Sequence, residues 1–343
     1  MGPPPSVATT RRAVRDALRP PSDVSRPPSE SLQLLDDSLV LVACSGGADS
    51  LALASAAAFA APRLGLRAGL VTVDHGLQDG SADRAAQVAA WGTELGLTPS
   101  IAVRVEVGRA GGPEAAARDA RYAALARTAQ EHGAAAVLLG HTMEDQAETV
   151  LLALARGAGP RGIAGMPARR GIFLRPFLEV SRAETRAACT EQGLTPWEDP
   201  HNADPSYARA RVRAALPVLV ETLGPDVVPN LARTARLVAA DVTYLDSLAA
   251  ANGDGPEPIC SRLATYPAAL RTRILRRFAL GLGAHPGALA TTHIDALDAL
   301  VMDWRGQGPV ALPGGILVTR RAGRLTGPGT STGTPAESHP PAG

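Results

Sequence analysis

Lysine is absent from the 343-residue sequence, so all 34 residues in the combined lysine and arginine count are arginine. Each of these side chains carries a planar guanidinium that stays protonated and matches the geometry of phosphate oxygens. Any mechanism that demands a catalytic lysine is therefore excluded. The net charge of +1 says nothing about a nucleic-acid partner, because such a partner needs a local basic patch and not a basic total.

Cysteine is also scarce, and Cys44, Cys189 and Cys260 are far apart in the chain. This spacing excludes a CxxC metal or redox pair and implies no disulfide framework. We expect each of the three to be a small buried hydrophobic residue.

Long apolar runs are missing, since no stretch of 18 uninterrupted apolar residues occurs and the start, MGPPPSVATTRR, lacks the apolar core of a signal peptide. We therefore expect a cytoplasmic protein without a membrane partner. Aromatic residues make up only 3% of the chain against 45% hydrophobic residues, which indicates a core of Ala, Leu and Val. Such a core suits helices packed on a parallel sheet.

Short apolar runs alternate with helical patterns over the first two thirds of the chain, which predicts βαβ units and an α/β fold. We expect a parallel sheet with helices on both faces over residues 31–215. A smaller, mostly helical domain should follow over residues 216–325, ending in two strand-like runs. Residues 1–30 are rich in Pro, Ser and Arg, and residues 326–343 are rich in Gly, Pro, Thr and Ser. Both segments are predicted to be disordered tails.

The loop Ser45-Gly46-Gly47-Ala48-Asp49-Ser50 lies between a predicted strand, LVLVAC, and a predicted helix, SLALASAAAF. A loop of small residues there turns backbone N–H groups and a helix N-terminus toward one point, which suits a phosphate or pyrophosphate. The spacing and the lysine of a Walker loop are both lacking. A plain glycine-rich turn is the alternative, with Asp49 as a helix cap.

The segment GHTMEDQAET begins at Gly140 and opens a predicted helix directly after a buried strand. His141 and Asp145 are four residues apart and Glu148 follows three later, so one helical face converges at the carboxyl edge of the sheet. Stabilisation of the helix dipole by the acidic residues is the alternative.

Two further segments carry candidate residues. Arg118 and Arg121 are three apart on one predicted helical face, where a solvated surface is the alternative. His75, within the segment VDHGL, follows the second strand at the same carboxyl edge, although such a histidine is more often an ordinary loop residue.

Taken together, these segments resemble the tRNA(Ile)-lysidine synthetase family of the ATP pyrophosphatase (PP-loop) superfamily. The resemblance spans about residues 38–215 and rests on the following motifs, which occur in the family's order: SGGADS, VDHGL, EAAARDARY, GHTMEDQAETVLLALARGAGPRGIAGM, LRPFLEVSRAE and WEDPHNADPSYARARVR. Two positions depart from the family pattern. Thr142 stands where a second histidine is common, and Ala210 stands where the family usually has asparagine.

The resemblance implies that the chain joins the ε-amine of free L-lysine to carbon 2 of the wobble cytidine of a minor isoleucine tRNA through an ATP-derived adenylate. Residues 45–50 would hold the ATP phosphates, and Asp49 would support Mg²⁺. Arg121, with Arg118, would offset charge on the phosphate side. Asp145 and Glu148 would bind the cationic lysine, and His141 would position groups or assist proton transfer.

Recognition of tRNA is expected to use arginines, because phosphate contacts supply affinity. The resemblance assigns substrate contacts to Arg209 and Arg213, which flank Arg211 in an alternating basic run. Two further clusters follow, and each is either an RNA contact or a solvated face. They comprise Arg262, Arg271, Arg273, Arg276 and Arg277, and then Arg320, Arg321 and Arg324.

Two other functions stay open at this point. A tRNA thiolase of the same superfamily would adenylate a similar carbonyl and deliver sulfur, but the three separated cysteines do not favour it. A binding module that has lost the reaction is the other alternative, and Asp49, His141, Asp145 and Glu148 together argue against it. The sequence leaves open whether the chain forms a homodimer.

Overall fold

The computed structural model of the protein describes residues 2–19, 34–76, 80–105, 113–198, 207–253 and 255–329. The chain divides into two compact units, residues 1–239 and 240–343. The division falls later than the predicted boundary at residue 215. Of the two predicted disordered tails, residues 20–30 and 330–343 lie outside the described residues.

A mostly parallel sheet forms the centre of the first unit. Its strands stand in the order β3-β2-β1-β4-β6-β5, and all pairs are parallel except the short antiparallel pair β5 and β6. The strands are β1 (Leu39–Ala43), β2 (Arg67–Asp74), β3 (Ser100–Arg104), β4 (Ala134–Leu139), β5 (Arg169–Arg170) and β6 (Phe173–Leu174). The predicted α/β class with a parallel sheet is confirmed.

Helices connect these strands and cover both faces of the sheet. They are α1 (Pro5–Leu18), α2 (Ala48–Ala60), α3 (Ser81–Glu94), α4 (Pro113–Glu131), α5 (Met143–Ala155), α6 (Gly159–Ile163), α7 (Arg182–Glu191) and α8 (Ala208–Leu223). Alternate residues of a strand point to opposite faces, and β1 shows the consequence. Val40 and Val42 pack in the cluster that contains α1, α2 and α7, whereas Leu39 and Leu41 pack against Leu125 of α4.

The first helix corrects the prediction that residues 1–30 form a disordered tail. Residues 5–18 form α1, and Val7, Thr10, Val14 and Leu18 are buried along one side of it. This i, i+3, i+7, i+11 stripe packs against α2 and α7, so burial of apolar surface stabilises the helix. The proline-rich and arginine-rich composition concealed that stripe.

The strand order reverses direction between β1 and β4, because β2 and β3 extend from one side of β1 while β4 and β6 extend from the other. In open α/β sheets a crevice forms outside the carboxyl ends of the strands at such a switch point. The loops that follow β1 and β4 therefore meet there. Ser181 and Glu184 form a capping box that begins α7 beside this crevice.

The second unit is smaller and mostly helical, as predicted. Its core joins residues of four helices to an antiparallel sheet, and the division between the units falls within the first of these helices. The elements are α9 (Val227–Ala251), α10 (Cys260–Ala264), α11 (Ala268–Gly281), α12 (Thr291–Met302), β7 (Val310–Leu312), β8 (Ile316–Arg321) and β9 (Arg324–Thr326). Within the described ranges, no helix of the chain combines the length and the apolar character needed to cross a membrane.

Candidate active site

The loop after β1 is a tight turn that leads directly into α2. Gly46 has φ +85°, a backbone conformation that favours glycine, and Gly47 precedes the helix without a side-chain cap. Ser50 Oγ accepts a hydrogen bond from the Ser45 backbone N–H at 3.1 Å and donates one to the Gly47 carbonyl at 2.9 Å. The uncapped first turn of α2 is therefore a site that suits phosphate oxygens.

The end of β4 lies against this first turn of α2. A Cβ atom added at Gly140 would lie 3.2 Å from the carbonyl carbon and oxygen of Asp49, so only glycine fits without movement of the backbone. This close approach brings the segment that follows β4 up to the loop that follows β1. His141 and Asp145 consequently lie beside Asp49.

A cavity of about 900 Å³ opens at the carboxyl edge of the sheet. It brings together most of the residues that the sequence pointed to. The predicted residues that line it are Ser45, Gly47, Ala48, Asp49, Ser50, His75, Arg121, His141, Asp145 and Arg213. Gly46, Arg118, Glu148 and Arg209 are described residues outside this lining, although each lies close in sequence to a lining residue.

Asp49 belongs to the phosphate-type loop itself, and Thr185 of α7 donates a hydrogen bond to its Oδ1 at 2.5 Å. Burial raises the pKa of Asp49, and the neighbouring charges of Asp145 and Glu144 act in the same direction. A bound cation would relieve this unfavourable environment. Across the described residues no three His, Cys, Asp or Glu side chains gather as a metal site.

Asp145 and Glu148 of α5 form a buried ion-pair network with two arginines. Arg182 Nη2 lies 2.5 Å from Asp145 Oδ1 and 2.9 Å from Glu148 Oε1. Arg213 of α8 approaches both carboxylates as well, with Nε 2.8 Å from Glu148 Oε1 and Nη2 3.4 Å from Asp145 Oδ1. Two negative charges thus face two positive charges.

The two carboxylates differ in their access to the cavity. Asp145 lines it, whereas the Glu148 side chain is only 1% exposed. Burial works against ionisation of Asp145, but Arg182, the backbone N–H of Thr142 and His141 together lower its pKa. Arg213 is the more exposed of the two arginine side chains, at 35% against 20% for Arg182.

His141 is an uncharged histidine at neutral pH. Burial, followed by the positive charge of Arg121, lowers its pKa to about 3. Its Nδ1 atom is buried without a hydrogen-bond partner among the described residues. The imidazole therefore offers the cavity a neutral polar group.

Thr142, one of the two departures from the family pattern, has a structural role. It is fully buried and precedes α5, and its backbone N–H donates a 2.9 Å hydrogen bond to Asp145 Oδ2. Thr142 therefore fixes the Asp145 carboxylate. Ala210, the other departure, lies in α8 between Arg209 and Arg211.

Several residues of the site were not singled out from the sequence. Arg182, Thr185 and Trp197 lie in or beside two of the motifs, but nothing in their local spacing indicated that they would meet the α5 carboxylates or the loop after β1. Trp197 lines the cavity, and the Arg84 guanidinium stacks 3.5 Å above its ring centroid. Its backbone N–H also donates to the Gly46 carbonyl at 2.9 Å.

The cysteines behave as predicted, since Cys44, Cys189 and Cys260 are all buried and free. In the second unit, several arginines of the predicted basic clusters serve the fold of that unit. Arg271 is buried and forms a bidentate ion pair with Asp298 at 2.6 and 3.0 Å. Arg320 donates to the Leu300 carbonyl at 2.8 Å.

Comparison with known families agrees with this architecture. Residues 22–219 match the PP-loop domain family, and residues 260–326 match the TilS substrate binding domain family. A U34-tRNA thiolase, NcsA from Methanococcus maripaludis, solved with its 4Fe-4S cluster, shares the fold. The TM-score is 0.52 at 19% sequence identity, covering 68% of this chain and 80% of that one.

Curated relatives match nearly the whole chain. The tRNA(Ile)-lysidine synthase of Salinispora tropica is 62% identical over 333 residues, which cover 94% of this chain and 96% of the relative. The enzymes of the same name from Thermobifida fusca and Streptomyces coelicolor are 56% and 53% identical. The two matches cover 98% and 99% of those relatives, respectively, and 94% and 95% of this chain.

A PP-loop domain implies ATP binding, and the loop between β1 and α2 lies where this fold binds its ligand. The protein therefore belongs to the class of PP-loop enzymes. More particularly, the chain belongs to the tRNA(Ile)-lysidine synthase family of ATP-using ligases. The family resemblance found in the sequence is confirmed.

Proposed function

We propose that the protein ligates free L-lysine to carbon 2 of the wobble cytidine of a minor isoleucine tRNA with a CAU anticodon. ATP is consumed, and lysidine, AMP and pyrophosphate are formed. The modified base changes codon specificity from AUG to AUA. The observation that carries this proposal is the meeting of the loop Ser45–Ser50 with Arg121, His141 and Asp145 around one cavity, in a chain of this family.

In the first step, the oxygen on carbon 2 of the cytidine attacks the α-phosphate of ATP, and the bond from that phosphate to pyrophosphate breaks. The backbone N–H groups at the start of α2 would hold the phosphates. Asp49 would hold Mg²⁺ against them, which agrees with the cation-favouring environment of its carboxyl. Arg121 lines the cavity and would offset negative charge as pyrophosphate departs.

In the second step, the lysine ε-amine forms a bond to carbon 2, the bond from carbon 2 to the adenylate oxygen breaks, and AMP leaves. Asp145 would contact the cationic amine, since it lines the cavity while Glu148 is fully buried. Glu148 would act indirectly by holding Arg182 and Arg213 in position. Because those two arginines already neutralise the carboxylates, lysine would displace the more exposed Arg213.

The ammonium of lysine has an ordinary pKa near 10.4, so it must lose a proton before its nitrogen can attack. His141 is neutral and its Nδ1 is without a partner among the described residues, so it would accept a hydrogen bond from the amine and orient it. With a pKa of about 3, the imidazole would not retain the proton. Removal of water around the amine would favour its neutral form instead, with the proton passing to bulk solvent.

Recognition of tRNA would involve Arg209 and Arg213 of α8, together with the substrate binding region over residues 260–326. The buried ion pair with Asp298 indicates that Arg271 supports the fold. Exposed arginines such as Arg277 are therefore the better candidates for RNA contact. Binding should weaken with salt, because counterions return to the released RNA.

Release of pyrophosphate from ATP tests the proposal, measured with lysine and transcribed tRNA each present or omitted. We expect release only when tRNA is present, and AMP with modified tRNA only when lysine is added. Transfer of sulfur, or tRNA binding without any ATP turnover, would overturn the proposal and favour one of the two alternative functions.

A further inference from the structure

Three arginines gather around the side chain of Tyr122, beside the candidate active site. Arg118 Nη2 lies 3.5 Å from Tyr122 Oη, and Arg175 Nη2 donates to the same oxygen at 3.2 Å. The Arg121 guanidinium carbon is 5.7 Å from the Tyr122 ring centroid. Phe173 holds the ring in place through an edge contact with centroids 4.9 Å apart.

The positive charges of this cluster are only partly compensated, because Asp145 acts on the Arg121 guanidinium from a distance and forms no ion pair with it. Among the described residues, neither Arg118, Arg121 nor Arg175 forms an ion pair with a carboxylate, and the Nε atoms of Arg121 and Arg175 are buried without a partner. Arg175 is only 4% exposed. Burial lowers the pKa of both Arg118 and Arg121, and the nearby charge of Arg209 adds to this effect.

Uncompensated buried charge is costly, so a cluster of this kind suits an anion that arrives with the substrate. Tyr122 Oη accepts from Arg118 and Arg175 and retains its own O–H, which can donate to that anion. The donors available to one ligand are therefore several guanidinium N–H groups and a phenol. Guanidinium groups match the oxygens of a phosphate especially well.

The cluster is separate from the place where ATP would bind. Arg121 lines the cavity shared with the loop Ser45–Ser50, whereas Arg118, Tyr122 and Arg175 do not. The fourth guanidinium close to the cluster comes from Arg209 of α8. An anion here would lie next to the reacting base without being part of the nucleotide triphosphate.

We propose that Arg118, Tyr122 and Arg175 form a binding site for a backbone phosphodiester of the substrate RNA, adjacent to the base that enters the cavity. The identity of this RNA rests on the proposed function. Fixing one phosphate beside the cavity would set the position of the neighbouring nucleotide before chemistry begins. Arg121 would then stand between this phosphate and those of ATP.

Equilibrium binding of the transcribed tRNA to the full chain over a series of salt concentrations tests the site. Arg118→Gln removes one guanidinium, and Tyr122→Phe removes only the hydroxyl. Arg127→Gln is a matched control, because Arg127 is exposed on the same helix. Arg175 is left unchanged, since it also donates to the Pro167 carbonyl and its loss could disturb folding. Binding of ATP and the KM for lysine are measured on the same proteins.

We expect Arg118→Gln to reduce the slope of log affinity against log salt by about 0.7, the value for one lost phosphate contact on a single strand. Tyr122→Phe should weaken tRNA binding several-fold, while Arg127→Gln should match the wild type and ATP affinity should not change. Equal slopes for Arg118→Gln and Arg127→Gln would overturn the site. A loss confined to ATP affinity or to the KM for lysine would overturn it too, by assigning the anion to a nucleotide phosphate or a substrate carboxylate. The tRNA-binding slopes and the ATP affinities are equilibrium measurements, so they do not depend on whether lysine is transferred.

Discussion

Arg213 Nε lies 2.8 Å from Glu148 Oε1, and this contact ties helix α8 to the middle of α5. A second bond, from Arg213 Nη2 to Glu148 Oε2 at 3.2 Å, makes the pair bidentate. Arg182 occupies the other side of the same carboxylates. The helix that carries the expected tRNA contacts is therefore joined directly to the carboxylates expected to meet lysine.

The Glu148 carboxylate should be important for folding. In Glu148→Gln, two arginines lose a buried counter-charge, so we expect the free energy of unfolding to fall by about 3 kcal/mol in a denaturant titration. Asp37→Asn breaks the exposed pair between Asp37 and Arg67 and should cost less than about 1 kcal/mol. Equal effects of the two substitutions would argue against a buried network.

The Arg213 guanidinium should compete with the lysine substrate for the carboxylates. We expect Arg213→Gln to lower the KM for lysine several-fold, because the variant removes a cation that competes for the carboxylates. The KM for tRNA should rise, because the same change removes an arginine of α8 that would contact the RNA. Steady-state kinetics with each substrate varied in turn will measure both constants. Arg211→Gln, an exposed site on the same helix, should leave the KM for lysine unchanged. A raised KM for lysine in Arg213→Gln would mean that the arginine supports lysine binding.

Asp49 should stabilise the ATP complex at the expense of the free protein. Because the pKa of Asp49 is raised, the folded state keeps the carboxyl proton to a higher pH than the unfolded state does. The stability that this proton contributes is lost as pH rises from about 4 through the raised value. At neutral pH, Asp49→Asn should therefore raise the melting temperature without ATP and abolish the shift caused by Mg²⁺ and ATP. Asp119→Asn, an exposed control on α4, should change neither. A lower melting temperature for Asp49→Asn would contradict this assignment.

His141 should make the protein sensitive to acid. The unfolded state takes up a proton near pH 6.5, whereas the folded state does so only near its pKa of about 3, so stability falls as pH drops across this window. Between pH 7 and pH 5 the loss should be about 2 kcal/mol, from the value of one pKa unit. His141→Gln should remove it and the exposed His132→Gln should not. Identical pH profiles for His141→Gln and the wild type would show that folding does not lower the pKa of this imidazole.

Local patterns predicted the parallel sheet and the position of its ligand-binding edge. The apolar run Leu39–Ala43, followed by small residues and a helical pattern, is sufficient for a strand, a phosphate-type loop and a helix, because each signal is local in sequence. The same holds for the segment that opens α5. The shared cavity follows from these loops once β1 and β4 are neighbours.

Long-range pairing could not be predicted in this way. Arg182 and Asp145 are 37 residues apart, and no periodicity links a residue of α7 to one of α5. Tyr122 and Arg175, 53 residues apart, meet only because α4 and the segment after β6 pack near the same strand. The apolar stripe of α1 is a local pattern that a sequence can show. The proline and arginine content of the segment indicated a disordered tail instead.

Transfer of radiolabelled lysine to transcribed minor isoleucine tRNA in the presence of ATP tests the central claim most directly. The wild type is compared with Asp145→Asn, which lines the cavity, and with Asp119→Asn, which does not. We predict label in the tRNA for the wild type and Asp119→Asn, with loss of label in Asp145→Asn. Absence of label in the wild type, or full transfer by Asp145→Asn, would contradict lysine ligation at this cavity.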